Sequence, residues 1–493
     1  MSDSKNHQIQ FDKYREYIKN EMKQSPNAGV AISIVSDKEV LFEEGFGFRD
    51  VPNKKPFTAE TIFPIGSHTK SFTATAIAML VDDGIIDWDT PIRDVISKFR
   101  LNDLFANERC TLRDLLSHTT GLPHHQFLYM NGEWTYKDVF KRLPHLKLAY
   151  DFRTQHKYSN LNYLIATNLI EELSGHVYFD FMNERIFKPL GMKSTNFSIV
   201  DAFKTHDCTF GYKENEDGFL LEKYLDLKYG SAGAGSINSN LKDLGKWIQF
   251  HINKGAIADK QLISEQTLSN LYLMQKLDKN PLEIFFPGKN LIRNYGFALG
   301  WWTLFYRGMR MNQHYGTGPG IMFNGGFLPE NKIGYAIFSN TSGSDLPFYS
   351  NFFIADQLLG LDVLMWGDEL RTFEIKQNEM IAKKKQKLEE AQEKKIVKPT
   401  HPLEDFIGVY THPGYGKLEF SLLNNQFQVS FGKNSKVSIE HYNYDTFVIK
   451  IEHVGGFGVS KFVTFRADFH GKITHLEIDA EPLLEPAVFK KVE

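Results

Sequence analysis

Cysteine is scarce in this chain, which has only Cys110 and Cys208 among its 493 residues. Two thiols cannot form a disulfide framework, so we expect both to be buried small hydrophobic side chains, as suits a reducing compartment. No window approaches ~18 uninterrupted apolar residues, which argues against a membrane-spanning helix. The N-terminal stretch "MSDSKNHQIQFDKYREYIKNEMKQ" has neither an apolar signal-peptide core nor a small-residue cleavage site. We therefore expect a cytoplasmic protein.

An excess of either charge is also lacking. The net charge is −3, with 57 Lys and Arg against 60 Asp and Glu. This balance gives no electrostatic reason to expect nucleic acid or an anionic membrane as a partner. The composition, 42% hydrophobic and 24% charged, is that of a folded globular protein. A chain of this length exceeds one ordinary core, so we expect two or three domains.

Strand-rich segments lie on either side of a largely helical middle. Two β-rich runs precede residue 50, helical patterns dominate to about residue 255, and strand patterns return in "YGFALGWW" and "KIGYAIFSNTS". This order predicts an α+β fold, in which an antiparallel sheet is flanked by helices and carries an inserted helical subdomain.

The C-terminal part predicts a linker and a second domain. Residues 376–400 are rich in Lys, Glu and Gln, and their mixed charges favour a helical linker over a nucleic-acid patch. Residues 401–493 alternate apolar and polar positions in short runs, which predicts a small all-β barrel or sandwich. The predicted domains are thus 1–375, 376–400 and 401–493. We expect side chains to fill the interior of the last one, including Phe420, Phe427, Phe431, Phe447 and Phe462.

Ser67 and Lys70 stand at the start of the apolar stretch "FPIGSHTKSFTATAIAMLVDDG", residues 63–84. A helix start leaves backbone N–H groups unpaired and favours a developing negative charge. Lys70 lies one turn further on the same face, and burial should lower its pKa and make its amine a base. The alternative is a capping serine and a lysine that extends to solvent. The S-x-x-K pattern alone does not decide between them.

Further motifs follow in a fixed order: "LLSHTTGLPHH", "YSN", "GSAGAGSINSNLKDLGKW", "YGFALGWW" and "HYGTGPG". Together with "GSHTKSFTA", this set resembles the serine β-lactamase and penicillin-binding protein-like family. Within it, the set is most similar to the branch of esterases, D-aminopeptidase-like peptidases and β-lactamase-related proteins. The resemblance covers most of residues 20–360.

The resemblance implies roles for two motifs. In S-x-x-K, Ser67 would be the nucleophile and Lys70 the group that deprotonates it. In "YSN", Tyr158 would act as a phenolate-like base or proton relay, and Asn160 would bind the substrate amide and help to hold Lys70. A nearby lysine cation would favour the phenolate. A tyrosine packed with a satisfied hydroxyl is the alternative for Tyr158.

The third motif departs from the lactamase pattern. Most β-lactamases and penicillin-binding proteins carry K-T-G here, whereas this chain has His314, Tyr315 and Gly316. A histidine can be neutral or charged and can relay a proton, so the resemblance implies a catalytic role for His314 and puts a strong grip on a β-lactam carboxylate in doubt. Gly316 would let the substrate approach the strand, and the N–H of Thr317 would be the second oxyanion donor beside that of Ser67.

The motifs and the resemblance that they carry imply a serine hydrolase that forms a covalent acyl-enzyme with small amide or ester substrates. It would be a peptidase, with D-amino-acid peptides as one option, or a carboxylesterase. The alternatives are a β-lactamase or penicillin-binding activity and, in another class, a non-catalytic scaffold that retains the fold. We expect no cofactor and no metal, since His124 and His125 lack a third ligand at metal-site spacing.

The expected partners are a small-molecule or short-peptide substrate and further copies of the chain. The stretch "FIGVYTHPGYGKLEFSLLNNQFQV" resembles the start of the lipocalin-like domain of some peptidase-like relatives. That resemblance implies a domain without catalytic residues, which would cap the active-site cleft, support self-association, or both.

Overall fold

A computed structural model describes residues 9–25, 27–125, 127–128, 134–205, 207–222, 228–278, 291–373, 375, 379–380, 397–424, 426–431, 437–454 and 457–492. The chain divides into two compact units. Unit 1 comprises Met1–Thr90 and Ala166–Glu379, and unit 2 comprises Pro91–Ile165 and Met380–Glu493.

The strands of unit 1 are Gly29–Ser36 (β1), Val40–Asp50 (β2), Lys55–Pro56 (β3), Phe63–Pro64 (β4), Gly211–Asn215 (β5), Gly218–Glu222 (β6), Asn238–Ser239 (β7), Ala256–Ile257 (β8), Lys260–Gln261 (β9), Lys276–Leu277 (β10), Ile292–Phe297 (β11), Trp302–Tyr306 (β12), Met309–Gly318 (β13), Ile321–Leu328 (β14) and Ile333–Ser339 (β15). Among the described residues, nine of them form one sheet in the order β10-β11-β12-β13-β14-β15-β1-β2-β3. Its neighbouring strands pair antiparallel throughout.

The α-helices of the described residues are Phe11–Gln24 (α1), Thr69–Asp82 (α2), Ile92–Val95 (α3), Leu104–Arg109 (α4), Leu112–Leu116 (α5), Val139–Arg142 (α6), Asn160–Ser174 (α7), Tyr178–Met182 (α8), Lys188–Leu190 (α9), Ile199–Thr205 (α10), Lys228–Gly235 (α11), Leu241–Ile252 (α12), Glu265–Ser269 (α13) and Leu346–Leu359 (α14). Short 3-10 turns include Gly66–His68, Tyr136–Asp138, Leu143–His145, Asn270–Tyr272 and Leu403–Phe406, and Asn183–Phe187 is π-helical. Between β3 and β10 the chain is mostly helical, as the sequence predicts.

Helices cover both faces of the sheet, which is why β1 is buried along nearly all of its length. On one face, Ile32 and Ile34 share an apolar core with Tyr14 of α1 and Phe352 of α14. On the other face, α12 packs so closely that a Cβ at Gly245 would lie 3.4 Å from Val35. The predicted α+β fold with a helix-flanked antiparallel sheet is confirmed.

The helix α2 lies in the interior of unit 1. Every residue from Thr69 to Leu80 is buried, although the stretch includes hydroxyl groups and one lysine. The ring of Phe72 stacks on Trp247 of α12 with 3.7 Å between ring centroids. A helix that is apolar nearly all round is expected to be buried in this way.

The described part of unit 2 contains a closed antiparallel barrel of eight strands. They are Gly408–His412 (β16), Gly416–Leu423 (β17), Gln426–Phe431 (β18), Val437–Asn443 (β19), Thr446–Val454 (β20), Phe457–Ala467 (β21), Ile473–Ile478 (β22) and Ala487–Lys491 (β23). The predicted C-terminal all-β barrel is thus confirmed, while its likeness to lipocalins stays a prediction. Most of the predicted linker, residues 376–378 and 381–396, lies outside the described residues.

Side chains fill the barrel, with one correction to the predicted set. Phe420, Phe427, Phe431 and Phe447 are buried as expected, but Phe462 is 43% exposed. Successive side chains of a strand point to opposite faces. In β21 the inward positions are those of Val463 and Phe465, both buried, so the ring of Phe462 lies outside.

Both cysteines are buried thiols, as expected from their number. Within the described ranges, no helix has both the length and the apolar character needed to cross a membrane.

Candidate active site

Ser67 and Lys70 form a close pair in unit 1. Ser67 lies in the 3-10 turn Gly66–His68, which continues directly into α2, and it is partly exposed. The Nζ atom of Lys70 lies 3.0 Å from Ser67 Oγ and donates to the carbonyl oxygen of Ala234 at 2.7 Å. Burial lowers the pKa of Lys70 well below its ordinary value. A neutral amine in this position can accept the Ser67 proton while it donates to Ala234.

The structure contradicts the two structural alternatives that the sequence left open for this pair, a capping serine and a lysine that extends to solvent. The residues at the cap positions of the turn and of α2 are Ile65 and His68, and neither helix start has a side-chain cap. Ser67 is therefore not a capping residue. Lys70 is fully buried, so its side chain does not extend to solvent.

The "GSAGAG" segment holds Lys70 in place through its backbone. Its Gly233 oxygen accepts a hydrogen bond from Thr73 Oγ1 at 2.7 Å, and the oxygen of the next residue, Ala234, accepts the one from Lys70. A Cβ at Gly233 would lie 2.5 Å from Thr167 Oγ1, so only glycine fits here. Ala232 has a strained backbone with φ 27° and ψ −120°. The sequence predicts only a glycine-rich turn here, before a helix capped by Ser239 or Asn240. The cap at Asn240 is observed, but the lysine partner was missed.

Two glycines bring β13 against the turn that carries Ser67. A Cβ at Gly316 would lie 1.9 Å from the Ile65 oxygen, and a Cβ at Gly66 would lie 2.9 Å from the Thr317 nitrogen. Gly66 also has φ +51°, in the left-handed region that favours glycine. The backbone nitrogen of Thr317 is thus adjacent to the residue that precedes Ser67. This geometry suits the predicted pair of oxyanion donors.

His314 is buried behind this surface in its neutral form. Its Nδ1–H donates to the Gly300 oxygen at 2.8 Å, which leaves the proton of the neutral ring on that atom. Burial lowers the pKa of His314 well below its ordinary value, and the neighbouring Lys70 lowers it further. Its backbone oxygen accepts from His68 Nδ1 at 3.0 Å. The site therefore has a neutral imidazole where most relatives of the lactamase type carry a cationic lysine.

Tyr158 and Asn160 belong to unit 2. The ring of Tyr158 is partly exposed and lies 4.5 Å from that of His118, centroid to centroid. Asn160 begins α7, and its Oδ1 atom is buried without a hydrogen-bond partner among the described residues. A buried acceptor of this kind is unfavourable unless a ligand supplies a donor. This fits the predicted contact with a substrate amide N–H, which stays a prediction, as does the role of Tyr158.

The predicted site residues therefore fall into two groups. In unit 1, Ser67 and Lys70 are in contact, and the backbone of β13 at Gly316 and Thr317 meets the turn before Ser67. Across the part of the chain that the structure describes, no group of three or more His, Cys, Asp or Glu side chains is arranged to hold a metal ion.

Two family models match this chain, one over each of its two parts. Residues 14–359 match the family model described as beta-lactamase. Residues 392–491, which include the barrel, match a family described as a domain of unknown function.

Two curated relatives show the range of names among similar proteins, one a hydrolase and one named without an activity. The unguisins hydrolase ungD' of Aspergillus campestris is 26% identical over 424 residues, which cover 82% of this chain and 76% of that protein. The protein flp of Staphylococcus aureus is 26% identical over 239 residues, or 48% of each chain.

Two solved structures have a similar fold. The octameric penicillin-binding protein homologue from Pyrococcus abyssi has a TM-score of 0.61 at 23% identity, covering 98% of this chain and 100% of that one. The D-amino acid amidase from Ochrobactrum anthropi has a TM-score of 0.57 at 23% identity, covering 71% and 97%.

Proposed function

The chain belongs to the β-lactamase family of serine hydrolases, and we propose that it hydrolyses small amide or ester substrates through an acyl-enzyme on Ser67. The observation that carries this proposal is the buried amine of Lys70, 3.0 Å from Ser67 Oγ. A serine hydroxyl becomes a nucleophile when an adjacent base takes its proton, and a lysine of lowered pKa is such a base.

The proposed reaction has two steps. Ser67 Oγ bonds to the substrate carbonyl carbon and its proton passes to Lys70, while the N–H groups of Ser67 and Thr317 bind the oxyanion. The bond to the leaving group then breaks, and that group receives a proton through Tyr158. In the second step, water adds to the acyl carbon, the acid is released, and Ser67 recovers its proton. His314 stays neutral and supports β13 beside the reacting groups.

We further propose peptidase or esterase action on small substrates, ahead of β-lactam hydrolysis. The buried, neutral imidazole of His314 supplies no cation for a β-lactam carboxylate. The name of the Aspergillus relative supports a hydrolase activity, and the amidase of similar fold is the reason to test D-amino acid amides.

Covalent labelling tests the nucleophile. After incubation with a fluorophosphonate, we expect one adduct by intact mass on the wild-type chain and none on Ser67→Ala. Ser71→Ala is the matched control, because Ser71 lies one turn along α2 and its hydroxyl donates to the His68 oxygen. Undiminished labelling of Ser67→Ala would overturn the assignment. A folded wild-type chain without any adduct would support the scaffold alternative instead.

A panel of substrates tests the proposed substrate class. It compares p-nitrophenyl esters, D- and L-amino acid amides and nitrocefin. We expect turnover of esters or amides and weak or absent turnover of nitrocefin. Fast nitrocefin hydrolysis with inactive esters and amides would reverse this ranking.

We also propose that the chain self-associates. The penicillin-binding protein homologue from Pyrococcus abyssi is octameric, and its similarity extends over 98% of this chain. Light scattering coupled to size-exclusion chromatography measures the mass in solution. A mass equal to one chain at micromolar concentration would contradict the proposal.

A further inference from the structure

A short segment of unit 2, residues 121–125 and 127–128, is attached to the barrel by hydrogen bonds of His125. The His125 N–H donates to Glu481 Oε2 at 2.9 Å. Its ring Nε2 donates to the Lys147 oxygen at 3.1 Å, and its Nδ1 accepts from the Tyr415 hydroxyl at 2.8 Å. Burial lowers the pKa of His125 to about 4, which keeps this neutral tautomer at physiological pH. Both barrel partners are buried, so these bonds are shielded from water.

Phe127 adds an apolar anchor to the same attachment. Its side chain is 2% exposed. Its ring contacts three rings of the barrel edge-on, with centroids 5.8 Å from Tyr415, 5.5 Å from Phe431 and 6.1 Å from Phe489. Aromatic pairs in this geometry contribute beyond the area they bury. The segment is therefore fixed to the barrel by packing as well as by polar contacts.

The other end of the segment holds the "YSN" motif. The Ser159 hydroxyl donates to the Pro123 oxygen at 2.7 Å, and the His124 ring lies 6.2 Å from that of Tyr158. Ser159 is fully buried and directly follows Tyr158. Only His124 thus separates the attachment of Ser159 at Pro123 from the barrel attachment at His125.

His125 itself adopts a backbone conformation that needs support. Its φ of 45° lies in the left-handed region, which is unfavourable for a residue other than glycine. Such a conformation persists where the surrounding contacts determine it. The contacts to Glu481 and Tyr415 supply that constraint.

We infer that the barrel positions Tyr158 for catalysis, with His125 and Phe127 as positioning residues that act through Pro123 and Ser159. This inference rests on the proposed function of Tyr158 as the group that delivers a proton to the leaving group. It gives the barrel a role within its own chain. That role needs neither a ligand in the filled barrel interior nor a catalytic residue from the barrel.

Displacement of Tyr158 should affect substrates according to their leaving groups. A nitrophenolate leaves without help, whereas an amine needs a proton, so a displaced Tyr158 should slow amides more than nitrophenyl esters. For Phe127→Ala we expect kcat on an amide to fall about tenfold to a hundredfold, with a smaller change on the ester of the same acyl group. KM should change little. Phe127→Leu should recover most of the amide activity.

Two further variants complete the experiment. Tyr415→Phe removes one hydroxyl and keeps the ring, so it tests the His125 contact in a chain that retains its barrel packing, and it should shift the amide-to-ester ratio in the same direction. Phe462→Ala is the matched control, because that ring lies on the outer face of the barrel. An unchanged amide-to-ester ratio in Phe127→Ala and Tyr415→Phe would overturn the inference.

Amide hydrogen exchange tells a failure of this inference apart from a failure of the proposed function. In Phe127→Ala we expect faster amide exchange in peptides that contain residues 156–160 than in the wild-type chain. Unchanged exchange there would overturn the positioning role whatever the enzyme hydrolyses. Faster exchange in a chain that labels nowhere and hydrolyses nothing would support the contact and reject the proposed function.

Discussion

The burial of Lys70 explains how a lysine can act as a base at neutral pH. A fully buried ammonium is unfavourable, so the folded state favours the neutral amine. The backbone oxygen of Ala234 orients the amine without adding a charge that would raise its pKa again. The free energy lost by burying Lys70 is therefore tied directly to its proposed catalytic role.

We predict that Lys70→Met is inactive and more stable than the wild-type chain. Because burial lowers the pKa of Lys70, the folded chain binds fewer protons than the unfolded chain, and the free energy of unfolding rises with pH up to the ordinary value of 10.5. Methionine has no ionisable group, so the substitution removes this penalty and should raise the free energy of unfolding by ~1–4 kcal/mol at neutral pH. The gain in melting temperature should shrink as the pH approaches 10.5.

Circular dichroism melts at several pH values, together with an ester assay, measure both effects. Lys242→Met is the control, because Lys242 is an exposed partner of Glu60 and its loss should change the melting temperature little. A Lys70→Met chain that is less stable than the wild type at every pH would contradict the argument.

The substitution His314→Lys tests why the chain departs from K-T-G. A lysine at this position would bury an ammonium group near Lys70 without a carboxylate partner, and an uncompensated buried charge costs ~3–5 kcal/mol. We expect a lower melting temperature and no gain in nitrocefin hydrolysis. His314→Gln, which stays neutral, should melt closer to the wild type. A stable His314→Lys chain that hydrolyses nitrocefin would show that the strand tolerates the lactamase residue.

Among the elements, the contact between the Ser67 turn and β13 depends on glycine. For Gly66→Ala, the new methyl group would lie 2.9 Å from the Thr317 nitrogen, so the turn and the strand must separate. Loss of an oxyanion donor reduces kcat by ~10²–10³, and we expect a loss of this size here. The measurement is kcat on a p-nitrophenyl ester.

Gly84→Ala is the matched control for Gly66→Ala. Gly84 also has positive φ, at +73°, but a Cβ there would meet no atom within 4 Å. It should lose about 1 kcal/mol of stability through backbone strain and keep its kcat. Equal losses of kcat in both variants would mean that strain, and not the contact with β13, is responsible.

Local patterns predicted the elements well where one physical signal dominates. The apolar run after Ser67 predicted a buried helix, and alternation predicted the barrel strands. Phe462 was misplaced because a phenylalanine in a strand can lie on either face, and only the register of β21 decides which one. The carbonyl of Ala234 was missed because a backbone oxygen has no signature in the sequence. The glycines around it, which permit close approach to α2, were the available signal.

In the whole molecule, the main unpredicted feature is the composition of the two units. Pro91–Ile165 forms a compact unit with Met380–Glu493, although more than 200 residues of unit 1 separate them in the chain. The hydrogen bond from His125 to Glu481 joins residues 356 positions apart. Periodicity and turn signals act over a few residues, so they cannot show which distant segments share a core.

Because residues 91–165 and the barrel belong to one compact unit, we predict that a destabilising substitution inside the barrel also destabilises residues 91–165. Phe465 is 2% exposed and its ring lies 4.6 Å from Phe406 and 5.0 Å from Phe420, so Phe465→Ala should destabilise the barrel by ~3–5 kcal/mol. If the barrel and residues 91–165 unfold as one cooperative unit, amide exchange should rise in both, while β1 and β15 of unit 1 stay protected. Phe462→Ala should leave exchange unchanged. A rise confined to residues 397–492 would show instead that the barrel unfolds independently of the segment packed against it.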